Sequence, residues 1–278
     1  MAAIVCEHGP CAGTDAAVVT GFSAEWLSLR EPADSRARDA DLTARFVEIA
    51  HSRRRFVDLA CGTGANFRYL GPRVGGDWRL VDSDTTLLAR VGAVDGCETQ
   101  TQVLDLATGL PQLDLGPQVM VTASALLDLV SDRWLVQLVG LCSASRCAAL
   151  FALSYDGRIA LTPSDPDDEW IRQLVNRHQL GDKGFGAALG PGAWRRTAEL
   201  FREAGYQVLT ARSDWNLQAD ESLLQQSLLD GWAGAAMELA SKDEDRCRDW
   251  LARRLAHVGS GASCISVGHE DLLALPRG

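Results

Sequence analysis

The chain has 278 residues, 46% hydrophobic and 23% charged, with 37 acidic against 27 basic side chains and a formal charge of −10. That length forms one large α/β domain with insertions or two small domains. The acidic balance argues against holding nucleic acid through phosphate contacts. Its 8 cysteines show no CxxC pair, which argues against zinc. With no signal peptide and no apolar run of ~18 residues, the chain is expected in the cytoplasm and off the membrane.

Residues 1–14 carry little periodicity and read as an irregular start. From Asp15 to His51, apolar residues fall at helical spacing (Phe22, Trp26, Leu29; then Leu42, Phe46, Ile49, Ala50), with Glu31–Asp34 as the break between two helices. Residues 1–53 are therefore expected to form a helical cap. The densest basic cluster, Arg53–Arg55, reads as a solvated helix end.

The centre of the chain is Phe56–Leu70. Phe56, Val57, Leu59 and Ala60 form the apolar run of a buried parallel strand containing Asp58, and Gly62 and Gly64 then allow a sharp turn and close approach to a ligand. Asn66 is placed to cap the helix that follows, Asn66–Leu70, which Gly71 and Pro72 are expected to stop. A second strand, Asp77–Val81, delivers Asp82 and Ser83. An acid at that distance from the turn can accept both hydroxyls of a ribose. A short helix, Thr85–Val91, leads to strand three, Gln100–Leu104, with Asp105 and Leu106 at its end. Strand four is Gln118–Thr122, running into Ser124 and Asp128. Ser131 and Asp132 open a helix, Arg133–Leu141, and strand five is Cys147–Leu153, followed by Ser154–Arg158 with Tyr155.

At DLACGTG the chain resembles the class I S-adenosylmethionine-dependent methyltransferases, over roughly residues 54–160. The resemblance implies an α/β, Rossmann-like fold: a seven-stranded, mostly parallel sheet with a reversed final strand, flanked by helices. It implies S-adenosyl-L-methionine as cofactor, and a cofactor site drawn from Asp58, Ala60, Gly62, Gly64, Asn66, Asp82, Ser83, Asp105, Leu106, Thr122 and Ser124. Arg30 of the cap would reach the methionine carboxylate. Asp105 would accept from the adenine amino group and the Leu106 backbone would face the ring. Where several nucleic-acid enzymes of the family carry [DN]PP[YF], this chain has TASALLD, so a small-molecule acceptor is expected. Asp128, shielded by leucines, would orient or deprotonate the nucleophile, and Tyr155, His178 and Lys183 are polar candidates on the substrate side. No metal is implied.

Residues 161–192 form an expected insert or lid: an acidic turn, a helix Glu169–Gln179 and the loop GDKGFGAALG. Residues 193–278 complete the sheet, with a helix Ala193–Ala204, strand six Tyr206–Arg212, a helical insert Ala219–Val258 and a last strand Ser263–Val267. Trp26, Trp170, Trp194, Trp215, Trp232 and Trp250 lie outside the first five strands and their helices. They pack the cap and inserts, line a closed, partly aromatic pocket, or do both.

Other readings stay open. A dinucleotide-dependent oxidoreductase needs a third glycine where Phe67 stands. The others are a methyltransferase-like protein that holds cofactor without turnover, and methylation of a nucleic acid or protein. As plain structure, Asp58 and Asp82 would be satisfied at strand ends, Asp105 would cap a turn, Arg30 would be solvated, and Asp128 would face solvent or cap near Ser131.

Overall fold

The computed structural model describes residues 22–277, so the readings for residues 1–14 lie outside it. The helices are α1 (Ala24–Ala37), α2 (Ala40–Ala50), α3 (Ala65–Val74), α4 (Thr85–Leu88), α5 (Leu106–Gly109), α6 (Asp132–Ser145), α7 (Asp168–His178), α8 (Ala193–Glu203), α9 (Ser222–Leu239) and α10 (Glu244–Gly259). The strands are β1 (Arg55–Leu59), β2 (Gly76–Asp82), β3 (Cys97–Val103), β4 (Val119–Ser124), β5 (Ala148–Thr162), β6 (Tyr206–Arg212), β7 (Trp215–Leu217) and β8 (Cys264–Pro276). They form one sheet in the order β3-β2-β1-β4-β5-β8-β6, with β7 added on β8. Strands β1 to β5 are mutually parallel and β8 runs antiparallel to β5, β6 and β7.

Successive side chains of a strand point to opposite faces, and both faces of the central strands are covered. Val57, Val121, Phe151, Leu135 and Phe201 form the core under α6 and α8. Phe56, Trp78, Met120, Phe46 and Phe67 form the opposite core under α2 and α3. A third core joins α1, α7, α9 and α10 through Trp26, Tyr155, Trp215, Trp232 and Trp250. Those four tryptophans are at most 4% exposed, so the packing account of the aromatic residues holds for them.

Several expected boundaries differ. Helix α1 runs through Glu31–Asp34, including Pro32, and breaks at Arg38 and Asp39. Trp26, Arg30 and Ala33 recur at helical spacing on its buried face, and that packing outweighs the donor Pro32 removes. Helix α3 likewise passes Gly71 and Pro72 to end at Gly75, whose N–H bonds the Gly71 carbonyl. Its N-cap is Gly64, so Asn66 lies within the first turn and does not cap it. The helix expected over Thr85–Val91 is the single turn α4.

The largest correction concerns β5 and β8. Each runs well beyond its expected end, and Ile159–Thr162 pair with Cys264–Val267. This extension continues the sheet past its ligand edge and makes a floor for α7, α9 and α10. The loop after α7 is tied down as well: Gly184 and Gly186 donate to the Asp182 carboxylate at 2.8 and 3.0 Å, and the Leu189 N–H donates to the Val130 carbonyl at 2.9 Å. No helix among the described residues is long and apolar enough to cross a membrane.

Candidate active site

Three non-glycine residues with positive φ lie at one edge of the sheet: Ala60 (49°) after β1, Ala125 (54°) after β4 and Leu153 (54°) within β5. Left-handed backbone at ordinary residues is costly and concentrates at functional sites. This is the carboxyl edge of the parallel strands, where open α/β sheets bind ligands.

The glycine turn is held from beneath. The Cys61 N–H bonds the Val81 carbonyl at 3.0 Å, and the Gly62 N–H donates to Asp82 Oδ2 at 2.8 Å. The Asp84 N–H donates to Asp82 Oδ1 at 3.0 Å. Gly62 and Gly64 take φ of 54° and 85°, a region glycine adopts without steric cost. Asp82 is thus satisfied at its strand end, yet a carboxylate accepts about four hydrogen bonds, and it keeps capacity toward the half-exposed side. Ser83 beside it is exposed. From α1, Leu27 Cδ1 comes within 3.0 Å of the position a Cβ on Gly62 would take.

Below the turn lies a buried polar chain. The Thr122 hydroxyl and the Asn66 amide donate to Asp58 Oδ1 at 2.7 and 2.6 Å. Asn66 Oδ1 accepts from Arg38 Nη1 at 2.8 Å. Burial pushes the Asp58 carboxyl up to about 6, against the pull of the Thr122 and Asn66 hydrogen bonds. Asp58 and Thr122 are fully enclosed and reach the site only through Asn66.

Above the chain is a small cleft lined by Glu31, Asp34, Ser35, Arg38, Ala65, Asn66, Tyr69 and Ser124. Arg30, expected to reach into this region, does not line it. Arg30 is buried, paired through Nε and Nη2 with Asp34 at 2.9 and 3.1 Å, with its Cζ 5.0 Å from the Trp215 ring centroid. It is therefore neither the cleft cation nor a solvated arginine. Arg38 is the cleft cation, its guanidinium 4.6 Å from the Tyr69 ring. The spacing of Arg30, Asp34 and Arg38, four residues apart, was the available signal that these charges share one helix face.

The remaining candidates are dispersed. Asp105 caps α5, accepting from the Ala107 N–H at 2.9 Å and the Thr108 hydroxyl at 3.2 Å. The Leu106 carbonyl accepts from Trp134 Nε1 at 2.6 Å and so points inward. Asp128 is buried in the 3-10 turn Leu127–Leu129, while Ser131 caps α6. It neither faces solvent nor caps the helix. Its charge helps to push the Tyr155 phenol up, after burial as the main cause. The Tyr155 hydroxyl donates to Asn176 Oδ1 at 2.6 Å. His178 pairs at the end of α7 with Glu238 at 2.9 Å, and Lys183 Nζ lies 3.5 Å from its Nδ1.

No family model and no curated protein matches this chain. Among solved structures it is similar to a cyclopropane synthase from Mycobacterium tuberculosis (12% identity, 91% of this chain and 94% of that one, TM-score 0.48). It is also similar to a putative type II methyltransferase from Anaeromyxobacter dehalogenans (14% identity, 85% and 97%, TM-score 0.48). A third is a SAM-dependent methyltransferase from Geobacter sulfurreducens in complex with S-adenosyl-L-homocysteine (12% identity, 92% and 99%, TM-score 0.44). These likenesses are distant, and the fold is defined by its own strand order. A mostly parallel sheet with β8 reversed between β5 and β6 is the class I methyltransferase arrangement that the resemblance implied, with β7 as a short addition.

Proposed function

We propose that this protein is a cytoplasmic S-adenosyl-L-methionine-dependent methyltransferase acting on a small molecule. The observation that carries the reading is the pairing of two subsites across one glycine turn. Arg38, Asp34 and Ser124 line a small cleft whose charges complement an α-amino-acid head, and Asp82 stands at the end of β2 with acceptor capacity for ribose hydroxyls. A ligand that is both an amino acid and a nucleoside fits both. The residues present therefore fit the cofactor.

A dinucleotide is disfavoured by Phe67. It is fully buried between α3 and β2, 5.2 Å from the Trp78 ring, where the dinucleotide fingerprint uses glycine for close helix packing. The cysteines among the described residues are unpaired, which suits a reducing compartment.

When bound, the cofactor supplies an electrophilic methyl carbon and a neutral leaving group. The chain has to align an acceptor in line and exclude water. In this reading Arg38 and Asn66 hold the carboxylate end and Asp82 holds the ribose. Asp105 and the Leu106 backbone border the base, and Asp128 orients or deprotonates the nucleophile beside Tyr155. The floor built by the extended β5 with β8 carries α7, α9 and α10 beside this edge, and that added bulk supports a small molecule over a polymer.

Calorimetric titration with S-adenosylmethionine, S-adenosylhomocysteine and NAD(H) tests the proposal, followed by a metabolite screen for turnover. Binding of the first two without NAD(H) is expected, with a matching rise in melting temperature. Binding of NAD(H) alone would overturn it.

A further inference from the structure

The reversed strand β8 carries a buried carboxylate that the boundary expected at Val267 left outside the sheet. Asp271 is 1% exposed and lies opposite an irregularity in β5. Phe151 pairs with Leu272 and Ser154 with Glu270, so Ala152 and Leu153 share the place opposite Asp271. One extra residue on one strand is a β-bulge, which leaves a ladder group without its usual partner. Leu153 takes φ of 54°, and its N–H donates to Asp271 Oδ1 at 2.8 Å.

The other carboxylate oxygen turns toward the helical cap. Oδ2 accepts from the Asp39 N–H at 3.3 Å and lies 3.5 Å from Arg38 Nε, the latter an ion pair rather than a hydrogen bond. Arg38 passes the contact on to Asn66 at 2.8 Å. On the bulge side, the Ala152 carbonyl accepts from the Ala125 N–H at 2.9 Å, next to Ser124. The two arms of one carboxylate therefore lead to two residues that line the cleft: Arg38 through one and Ser124 through the other.

We infer that Asp271 is a positioning residue that sets the Arg38 guanidinium against Ser124 for recognition of a ligand carboxylate. The inference rests on the reading of the cleft as an amino-acid subsite. The ion pair with Asp271, the Tyr69 ring and the Asn66 oxygen at Nη1 together restrict the guanidinium. An arginine held in this way loses less freedom on binding a carboxylate. Asp271→Asn removes the charge and sets an amide N–H₂ against either Arg38 and Asp39 or Leu153, all of which are donors.

The test compares two nucleosides by calorimetry: S-adenosylhomocysteine, and 5′-methylthioadenosine, which lacks the amino-acid head. With Asp271→Asn, affinity for S-adenosylhomocysteine is expected to fall roughly tenfold or more while that for methylthioadenosine stays within about twofold. In an Arg38→Gln background the same substitution should add less than about a further twofold, because the residue acts through Arg38. Equal losses for both nucleosides, or no loss, would make Asp271 only a fastening of the bulge. If Asp271→Asn does not fold, Asp271→Glu carries the test, since it keeps the charge but displaces Arg38, and the affinity ratio should still drop. Wild-type protein that binds neither nucleoside would remove the cofactor reading and this inference with it. Wild-type binding with an unchanged ratio removes the inference alone.

Discussion

The Asn66 amide donates to the Asp58 carboxylate at 2.6 Å inside the protein, and this bond fastens the first turn of α3 to the middle of β1. Asp58 Oδ1 also accepts from the Thr122 hydroxyl of β4, while Oδ2 has no hydrogen-bond partner among the described residues. Ionising this carboxyl therefore takes a charge into a site where one oxygen is unsatisfied.

The consequence is a pH dependence of stability. A carboxyl whose folded pKa is raised contributes stability that is full below the ordinary carboxylate pKa and is lost as pH rises through the folded value, here about 6. Asp58→Asn keeps an acceptor for Asn66 and Thr122 and does not titrate. Wild-type stability relative to this variant should fall by about 2–3 kcal/mol between roughly pH 4 and pH 7. Urea denaturation across that window measures the difference, and a flat difference would place the Asp58 pKa in the ordinary range.

At Asp82, structure and binding are expected to change together. Asp82→Ala removes the acceptor for the Gly62 and Asp84 N–H groups, so a loss of about 1–3 kcal/mol in stability should accompany weaker binding. Affinity for S-adenosylmethionine should fall about tenfold to a hundredfold, the range for a charge-assisted bond to hydroxyls. Calorimetry that finds the affinity unchanged would turn Asp82 away from the ligand.

Asp128 is fully buried and does not line the cleft at Arg38, so an effect of its removal on chemistry is separable from an effect on cofactor binding. Once a substrate is known, Asp128→Asn should lower turnover by ~10²-fold or more with cofactor affinity intact. Turnover within a few-fold of wild type across pH would leave alignment as the source of catalysis.

An ionic clamp joins the segment before α7 to α10. Asp165 accepts from Arg253 at 2.6 and 3.0 Å, and Asp167 accepts from Arg246 and Arg253 at 2.6 and 2.8 Å. The hydrogen bonds from Arg253 hold the Asp165 carboxyl down to about 2. A depressed carboxyl stabilises above its ordinary pKa and loses that contribution as pH falls toward the folded value. The advantage of wild type over Asp165→Asn should therefore shrink below about pH 4. After screening it should amount to about 1 kcal/mol at neutral pH and fall with added salt. Paired thermal melts at pH 6 and pH 3 measure it, and an equal advantage at both would show that the clamp acts through packing.

How much was legible from sequence can be followed residue by residue. Phe56–Ala60, the Gly62–Gly64 turn and the placement of Asp82 and Asp105 at strand ends were readable because a short continuous apolar run and turn glycines are local properties. Tyr206–Arg212 was bounded correctly for the same reason. Helix ends were less readable. Pro32 and Pro72 signal a stop locally, yet both lie inside helices whose buried faces are fixed by distant partners.

The sequence by itself determined the α/β class, the strand–glycine–helix centre and the acids along one sheet edge, since each rests on neighbours within a few residues. Only the tertiary structure decided which arginine meets the cleft. Arg30 and Arg38 share a helix face, but Asp34 and Trp215 hold the first, while Asn66 and Asp271 hold the second. Asp271 is 233 residues from Arg38 in the chain, and no local pattern relates them. The pairing of β8 with the bulged β5 brings them together, and a contact of that kind depends on strand register rather than on the residues beside either partner.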